Sequence, residues 1–154
     1  MSIFVADEQG EDIDLAGVRS LAELVLAEES YPDDSEATLL LVSDDEMVAY
    51  NKRFLDREGP TDVLAFPVED LTPRVVPDRD WNAPPLLLGD VIIAPTYIRG
   101  QAESFEVSFE DELSLMVVHG LLHLLGYDHQ NDEDAEMMEG RERDLLAKIG
   151  VERR

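Results

Sequence analysis

Apolar and polar residues follow two kinds of pattern along this chain, and together they predict both strands and helices. Short apolar runs predict strands at 3–5, 38–42, 63–67 and 86–93. Apolar residues at helical spacing, or capping residues before such a stretch, predict helices at about 14–29, 43–54, 95–104, 109–125 and 132–149. Because residues 109–125 are apolar nearly all round, we expect that helix to be deeply buried.

Signals at the ends of these elements support the assignment. Ser43 and Glu46 form a Ser-x-x-Glu capping box that opens a helix. Gly89 lies inside a predicted strand, where an isolated glycine indicates a bulge. Residues 68–85 contain four prolines and predict a surface loop, since neither side of them could form a core alone. We therefore expect a single α+β domain over residues 1–154, with a small mixed β-sheet packed with helices.

The composition is strongly acidic, and this changes which partners are plausible. Of the 154 residues, 36 are Asp or Glu and 12 are Lys or Arg, which gives a net charge of -24 at pH 7. A general nucleic-acid binder neutralises many phosphates with a basic face, so any nucleic acid here must be held locally or through a metal ion. The absence of cysteine leaves histidine, carboxylates and water as metal ligands.

No stretch of the sequence has the character of a targeting or membrane segment. The first eight residues lack the basic start and apolar stretch of a signal peptide. The longest strongly apolar stretch, residues 113–126, contains two histidines and is shorter than the roughly 20 residues that a bilayer requires. We expect a cytoplasmic protein without membrane contact.

All three histidines of the chain fall within residues 119–129. His119 and His123 are four residues apart, a spacing that places both imidazoles on one helical face. Gly126 can end the helix in a left-handed turn, which would bring His129 back toward the same point. Three neutral nitrogens around an open fourth position describe a catalytic zinc site, so the spacing predicts one zinc ion per chain.

Other interpretations of this segment remain open. The histidines could be separate, with His119 and His123 hydrogen-bonded to backbone in the core and His129 at the surface. Asp128 could accept a hydrogen bond from a metal-bound imidazole and so orient it, or it could cap the local backbone. The spacing of the three histidines and Gly126 matches a motif of zinc peptidases, except that those enzymes have a glutamate base at the position of Gly120. A glycine here is unfavourable for the helix, so we expect a strand or a substrate to approach it closely.

At this level of detail the sequence resembles a known family. The run HGLLHLLGYDH at 119–129 is similar to the signature of the YbeY-type endoribonucleases. Asn51 with the run PTDVLAFP at 60–67, and LGDVIIAP at 88–95, resemble two further blocks of that family in the expected order. The resemblance spans about residues 38–147.

The resemblance implies a zincin-like fold and a zinc-dependent endoribonuclease that cuts single-stranded RNA. Its site would be the zinc held by His119, His123 and His129. The implied role is ribosomal RNA processing, at the 3′ end of the small-subunit RNA, together with ribosome quality control. The implied partners are ribosomal RNA and the ribosome or its proteins. Two rival functions stay open: a non-enzymatic ribosome-assembly factor with a structural zinc, and a peptidase-like zinc hydrolase that takes its base from elsewhere.

This sequence departs from the family at Leu55, where the family often has an arginine that contacts phosphate. Arg57 lies past the predicted helix end, where a long side chain could reach the place that Leu55 leaves. Arg53 lies about 200 degrees around the helix from Leu55 and would point away. Ala65 also stands where serine is common, so a hydroxyl there is not essential.

Several remaining residues have both a structural and a functional interpretation. The pairs Thr61-Asp62 and Gly89-Asp90 are either turn and bulge residues or part of a groove beside the metal. We expect Trp81 to cover an apolar patch. The acidic residues of the last helix are expected to form a solvated face; they are Glu133, Asp134, Glu136, Glu139 and Glu142.

Overall fold

One four-stranded sheet organises the molecule, and the computed structural model describes it over residues 1–154. The strands are β1 (Ser2–Glu8), β2 (Glu36–Val42), β3 (Val63–Pro67) and β4 (Leu87–Ile93). Their order is β1-β2-β4-β3; the first three pair in parallel, and β3 lies antiparallel to β4 at one edge. The helices are α1 (Leu15–Glu28), α2 (Asp44–Leu55), α3 (Pro95–Phe105), α4 (Phe109–Leu124) and α5 (Asp132–Ala147). The predicted α+β domain with a small mixed sheet is confirmed.

The predicted elements all occur, and their boundaries shift by only a few residues. Ser43 caps α2 by accepting a hydrogen bond from the Glu46 N–H, as the capping box predicts. The register between β2 and β4 shifts beside Gly89, which confirms the bulge. Residues 68–86 form no regular strand or helix beyond an isolated bridge. Trp81 in this loop is 96% exposed, so the prediction that it covers an apolar patch was wrong.

Alternation along β3 separates the two faces of the sheet. Leu64 and Phe66 pack with α2 in a small cluster on one face. Val63 and Ala65 point the other way, toward the main core that contains α1 and α4. The edge strand therefore presents Ala65 to the side of the sheet on which the predicted site residues of α4 lie.

Helix α4 is the central element of the main core, as its all-round apolar pattern predicts. It packs against α1, α3, α5 and two strands, and most of its residues are buried. Gly120 faces the sheet: a Cβ there would lie 2.6 Å from Cγ1 of Val91 and 3.0 Å from Cγ2 of Val63. The expected close approach of a strand to this glycine is confirmed. No helix in the structure has the length and apolar character needed to cross a bilayer.

We predict opposite effects of the same substitution at two helical glycines. Gly120→Ala should lower the free energy of unfolding by about 1–2 kcal/mol, because overpacking against two β-branched strand residues outweighs the gain in helix propensity. Gly100→Ala, in α3, should raise it by about 1 kcal/mol, since no atom lies within 4 Å of a Cβ at that position. Urea denaturation of both variants measures the difference. Equal stabilisation of both would contradict the packing argument.

Candidate metal centre

The last turns of α4 and the turn that follows bring all three histidines together. His119 and His123 lie on one face of α4, four residues apart. Helix α4 ends at Leu124, and Gly126 adopts a left-handed conformation with φ +97°, which reverses the chain. One ring nitrogen from each of His119, His123 and His129 then lies within 4.8 Å of the other two. The convergence expected from the spacing is present.

Each of the two helical imidazoles is oriented by a hydrogen bond at Nδ1. His123 donates to the backbone carbonyl of Tyr127 at 2.9 Å. Nδ1 of His119 lies 2.8 Å from Oε2 of Glu142, an ionised carboxylate that can only accept. These contacts hold both rings so that their Nε2 atoms point toward the site.

The two Nε2 atoms face each other, and that arrangement suits a shared metal ion. Nε2 of His123 lies 3.0 Å from Nε2 of His119. Burial, and then the neighbouring His119, lower the pKa of His123, which favours the neutral imidazole that a metal ion requires. Two nitrogens bound to one tetrahedral zinc at 2.0–2.1 Å lie about 3.3 Å apart, close to the distance found here. The donor set therefore fits a metal ion such as zinc.

Glu142 is the functional residue that the sequence interpretation placed wrongly. It was assigned to a solvated helix face, but its side chain is 1% exposed and contacts His119. Burial would raise the pKa of Glu142, yet the hydrogen bond from His119 and the charge of Arg153 outweigh it and lower that pKa. A signal was available: Glu142 shares the spacing of the buried residues Met138 and Leu145 on α5.

Asp128 makes a local hydrogen bond and does not orient an imidazole. Its Oδ1 accepts from the backbone N–H of His129 at 2.8 Å, which is the cap alternative. This bond fixes the turn that carries His129. The orienting role that Asp128 could have had is taken by Glu142 for His119 and by the Tyr127 carbonyl for His123.

An open cavity of about 260 Å³ adjoins His123. Its walls are Ala65 and Pro67 of the edge strand, residues 69–71 of the following loop, and the turn 126–128. His129 is exposed beside it, so the candidate metal centre is reachable from solvent. A larger cavity of about 630 Å³ lies between α1 and the first half of α4, but no histidine lines it. We therefore place the candidate site at the smaller cavity, where the ligand set is.

Two residue pairs from the smaller sequence blocks, Thr61-Asp62 and Gly89-Asp90, lie at a turn and a bulge. Asp62 accepts a hydrogen bond from the Val63 N–H at 2.7 Å and forms the turn into β3. Gly89 lies at the bulge of β4. Neither pair, Thr61-Asp62 or Gly89-Asp90, lines the cavity beside His123.

The arginine candidates lie at the end of α2. The helix includes Leu55, which is 40% exposed, and ends there with Asp56 in a left-handed conformation. Arg53 stacks over the ring of Phe54 at 5.2 Å from its centroid. Arg57 lies beyond the helix end and is exposed, as expected. Arg53 thus lies within α2 and Arg57 past its end, as the sequence predicts; the phosphate contact of Arg57 stays a prediction.

A histidine cluster with an open side, carried by a buried helix of an α+β domain, defines a candidate metal-dependent hydrolase. The profile of the family described as "Endoribonuclease YbeY" matches residues 4–150. The chain belongs to this family, as the sequence resemblance indicated. It is therefore an enzyme of a hydrolytic nuclease family.

Individual relatives agree over nearly the whole chain. Endoribonuclease YbeY of Acidothermus cellulolyticus is 39% identical over 155 residues, which cover 100% of this chain and 94% of that protein. The protein of the same name from Frankia casuarinae is 42% identical over 144 residues, which cover 89% of this chain and 69% of that protein. The solution structure of TM1509 from Thermotoga maritima matches with a TM-score of 0.61 at 26% identity, covering 96% of this chain and 91% of that one.

We predict that Glu142→Gln weakens zinc binding by about 10- to 100-fold, because the neutral amide no longer holds and polarises the His119 imidazole as a carboxylate does. Competition titration against a chelator of known affinity measures the effect. Glu136→Gln, an exposed change on the same helix, is the matched control and should bind zinc as the unmodified protein does. Equal affinities for both variants would contradict the role given to Glu142.

Proposed function

We propose that this protein is a zinc-dependent, single-strand-specific endoribonuclease that processes ribosomal RNA, at the 3′ end of the small-subunit RNA, and takes part in ribosome quality control. One zinc ion per chain would be held by His119, His123 and His129. The observation that supports the proposal is the convergence of these imidazoles, with the Nε2 atoms of His119 and His123 3.0 Å apart, beside an open cavity. Membership of an endoribonuclease family supports the choice of substrate.

The chemistry divides between the metal and the protein. A bound zinc ion supplies a Lewis acid and lowers the pKa of a coordinated water. The chain's own residues hold the ligands in one geometry: Glu142 fixes the ring of His119, and the Tyr127 carbonyl fixes that of His123. Strand β3 has one unpaired edge and lines the cavity, so it offers backbone groups to an extended RNA strand.

The charge of the cavity walls makes the metal the main attraction for a phosphate. Glu69, Asp70 and Asp128 all line the cavity, and no arginine or lysine does. A phosphodiester entering it would meet net repulsion from the protein. A divalent ion at the histidine cluster would reverse the local sign, which agrees with the expectation that this acidic chain grips nucleic acid through a metal.

The peptidase alternative loses its general base for a structural reason. The position of the usual glutamate is Gly120, where even a Cβ would collide with Val91 and Val63. The frame therefore keeps the histidine ligands without a carboxylate at that position. A peptidase would have to take its base from elsewhere, and membership of an endoribonuclease family favours RNA over peptide as the substrate.

Ribosomal RNA as substrate implies the ribosome or its proteins as partners, and the cytoplasm as the place of action. A net charge of -24 gives the protein no general affinity for RNA, so a protein partner would have to bring it to its target.

We predict that His123→Ala reduces cleavage of single-stranded RNA by more than an order of magnitude, because two remaining ligands cannot hold zinc in catalytic geometry. Elemental analysis and a cleavage assay on the purified variant measure zinc content and activity, and circular dichroism checks the fold. Unchanged zinc content together with unmodified cleavage would contradict the assignment.

Zinc removal distinguishes the enzyme from an assembly factor with a structural zinc. We predict that chelation abolishes cleavage while the thermal melting transition remains cooperative, since a core of 28 buried residues holds the fold together without the metal. Added zinc should restore activity. Unfolding on chelation, with no cleavage by any preparation, would favour the structural alternative.

We predict that Arg57→Ala lowers cleavage of single-stranded RNA by tenfold or more without loss of zinc, while Arg53→Ala changes it little. A charge-assisted contact to phosphate is worth about 1.5–3 kcal/mol, so its loss should be visible in kcat/KM. Arg53 is the matched control because it carries the same charge on the same segment but stacks on Phe54. A larger effect at Arg53 would show that the assignment is wrong.

A further inference from the structure

The residues after α5 fold back onto the helices that carry the candidate metal centre. Gly150 adopts a left-handed conformation with φ +74°. The N–H of Val151 then donates to the carbonyl of Leu146, and the Val151 side chain packs against the main core. This turn directs Arg153 and Arg154 back along α5, and both lie beyond the span 4–150 that the family profile matches.

Each of these arginines pairs with a different buried glutamate. Arg153 donates from Nε to Oε1 of Glu142 at 3.0 Å, and the two side chains are 18% and 1% exposed. Arg154 donates to both oxygens of Glu112, at 2.7 and 2.9 Å, and stacks on Phe105 at 3.7 Å. Glu112 is also 1% exposed and lies in the first turn of α4.

Glu142 links Arg153 to the candidate metal centre, because its two carboxylate oxygens contact different residues. One carboxylate oxygen, Oε1, receives the hydrogen bond from Arg153, while the other, Oε2, contacts Nδ1 of His119 at 2.8 Å. Contacts at both oxygens fix the position of the carboxylate and also its rotation about the last side-chain bond. Without Arg153, Oε1 would be left buried and unpaired, and the group would turn or admit water.

We propose that Arg153 is a positioning residue for the metal centre, which acts through Glu142 to hold the His119 imidazole toward the ion. The inference rests on the proposed function, because it requires His119 to be a metal ligand. Outer partners of metal-bound histidines set ring orientation and ligand basicity, and their removal commonly costs 10- to 100-fold in affinity. Arg153 contacts Glu142 and not the histidine itself, so we expect its removal to weaken zinc binding by about tenfold.

Arg154 provides a matched control within the same segment. It has the same charge, lies next in sequence and also pairs with a buried glutamate on the helices of the site. Glu112 contacts Arg154 and Gln101 but none of the three histidines. Loss of Arg154 removes an equivalent ion pair and leaves the link from Arg153 through Glu142 to His119 intact.

The test measures metal affinity in the full chain, by chelator competition with zinc alone, for the unmodified protein and for R153A, R153K and R154A. We expect the dissociation constant for zinc to rise about tenfold in R153A, to stay within about threefold in R153K, and to be unchanged in R154A. The visible spectrum of the cobalt-substituted proteins should shift only in R153A, since it reports the ligand geometry. Thermal melting records the stability lost in R153A and R154A.

The outcomes separate this inference from the proposed function. Zinc binding in R153A equal to that of the unmodified protein would overturn the role of Arg153 and leave the metal centre standing. Equal weakening in R153A and R154A would also overturn it, because the segment would then act only through general stability. Failure of the unmodified protein to bind zinc would overturn the metal centre itself, and the inference with it.

Discussion

The site depends on one constraint: an oxygen atom must hold Nδ1 of each half-buried helical imidazole, so that both Nε2 atoms point into the same space. Two separate parts of the fold supply these oxygens. The turn after α4 brings the Tyr127 carbonyl to His123, and α5 brings the Glu142 carboxylate to His119. The result is a pair of nitrogens 3.0 Å apart, an arrangement that suits a shared metal ion. Two separate parts of the fold thus prepare one binding site.

Helix α4 can carry these polar groups only because the rest of its surface is closely packed. Gly120 lets the sheet approach the helix directly between the two histidine positions, and Gly126 allows the carbonyl of Leu71 to lie against the turn. Close packing on these sides leaves the histidine face as the one that opens to the cavity. Gly120 allows the helix to approach the sheet closely, and it also occupies the position at which a zinc peptidase has its glutamate base. One residue therefore affects both the packing and the chemistry of the site.

The sequence predicted those features that depend on local spacing. The capping serine Ser43, the four-residue interval between His119 and His123 and the turn at Gly126 act over a few residues, and all were identified correctly. The role of Glu142 could not be identified in this way because it depends on how α5 packs against α4, and Glu142 is 23 positions away from His119 in the sequence. Several other glutamates and aspartates of α5 are solvated. Only the spacing that Glu142 shares with Met138 and Leu145 distinguishes it from them in the sequence. The prediction for Trp81 was wrong for another reason. Trp81 lies in a loop, and a loop has no periodic pattern from which the burial of a side chain can be inferred.

Charge then shapes how such a site can find RNA. Repulsion between the distant acidic residues and a polyanion is screened beyond about 8 Å at physiological salt, whereas the three carboxylates of the cavity wall repel a phosphate at close range. Within the cavity, attraction must come from the ion, since no arginine or lysine lines its walls. Few phosphate contacts also mean a weak dependence of affinity on salt and little binding to RNA in general. An acidic surface with so little non-specific affinity leaves the selection of an RNA target to contacts at the cavity and its metal centre.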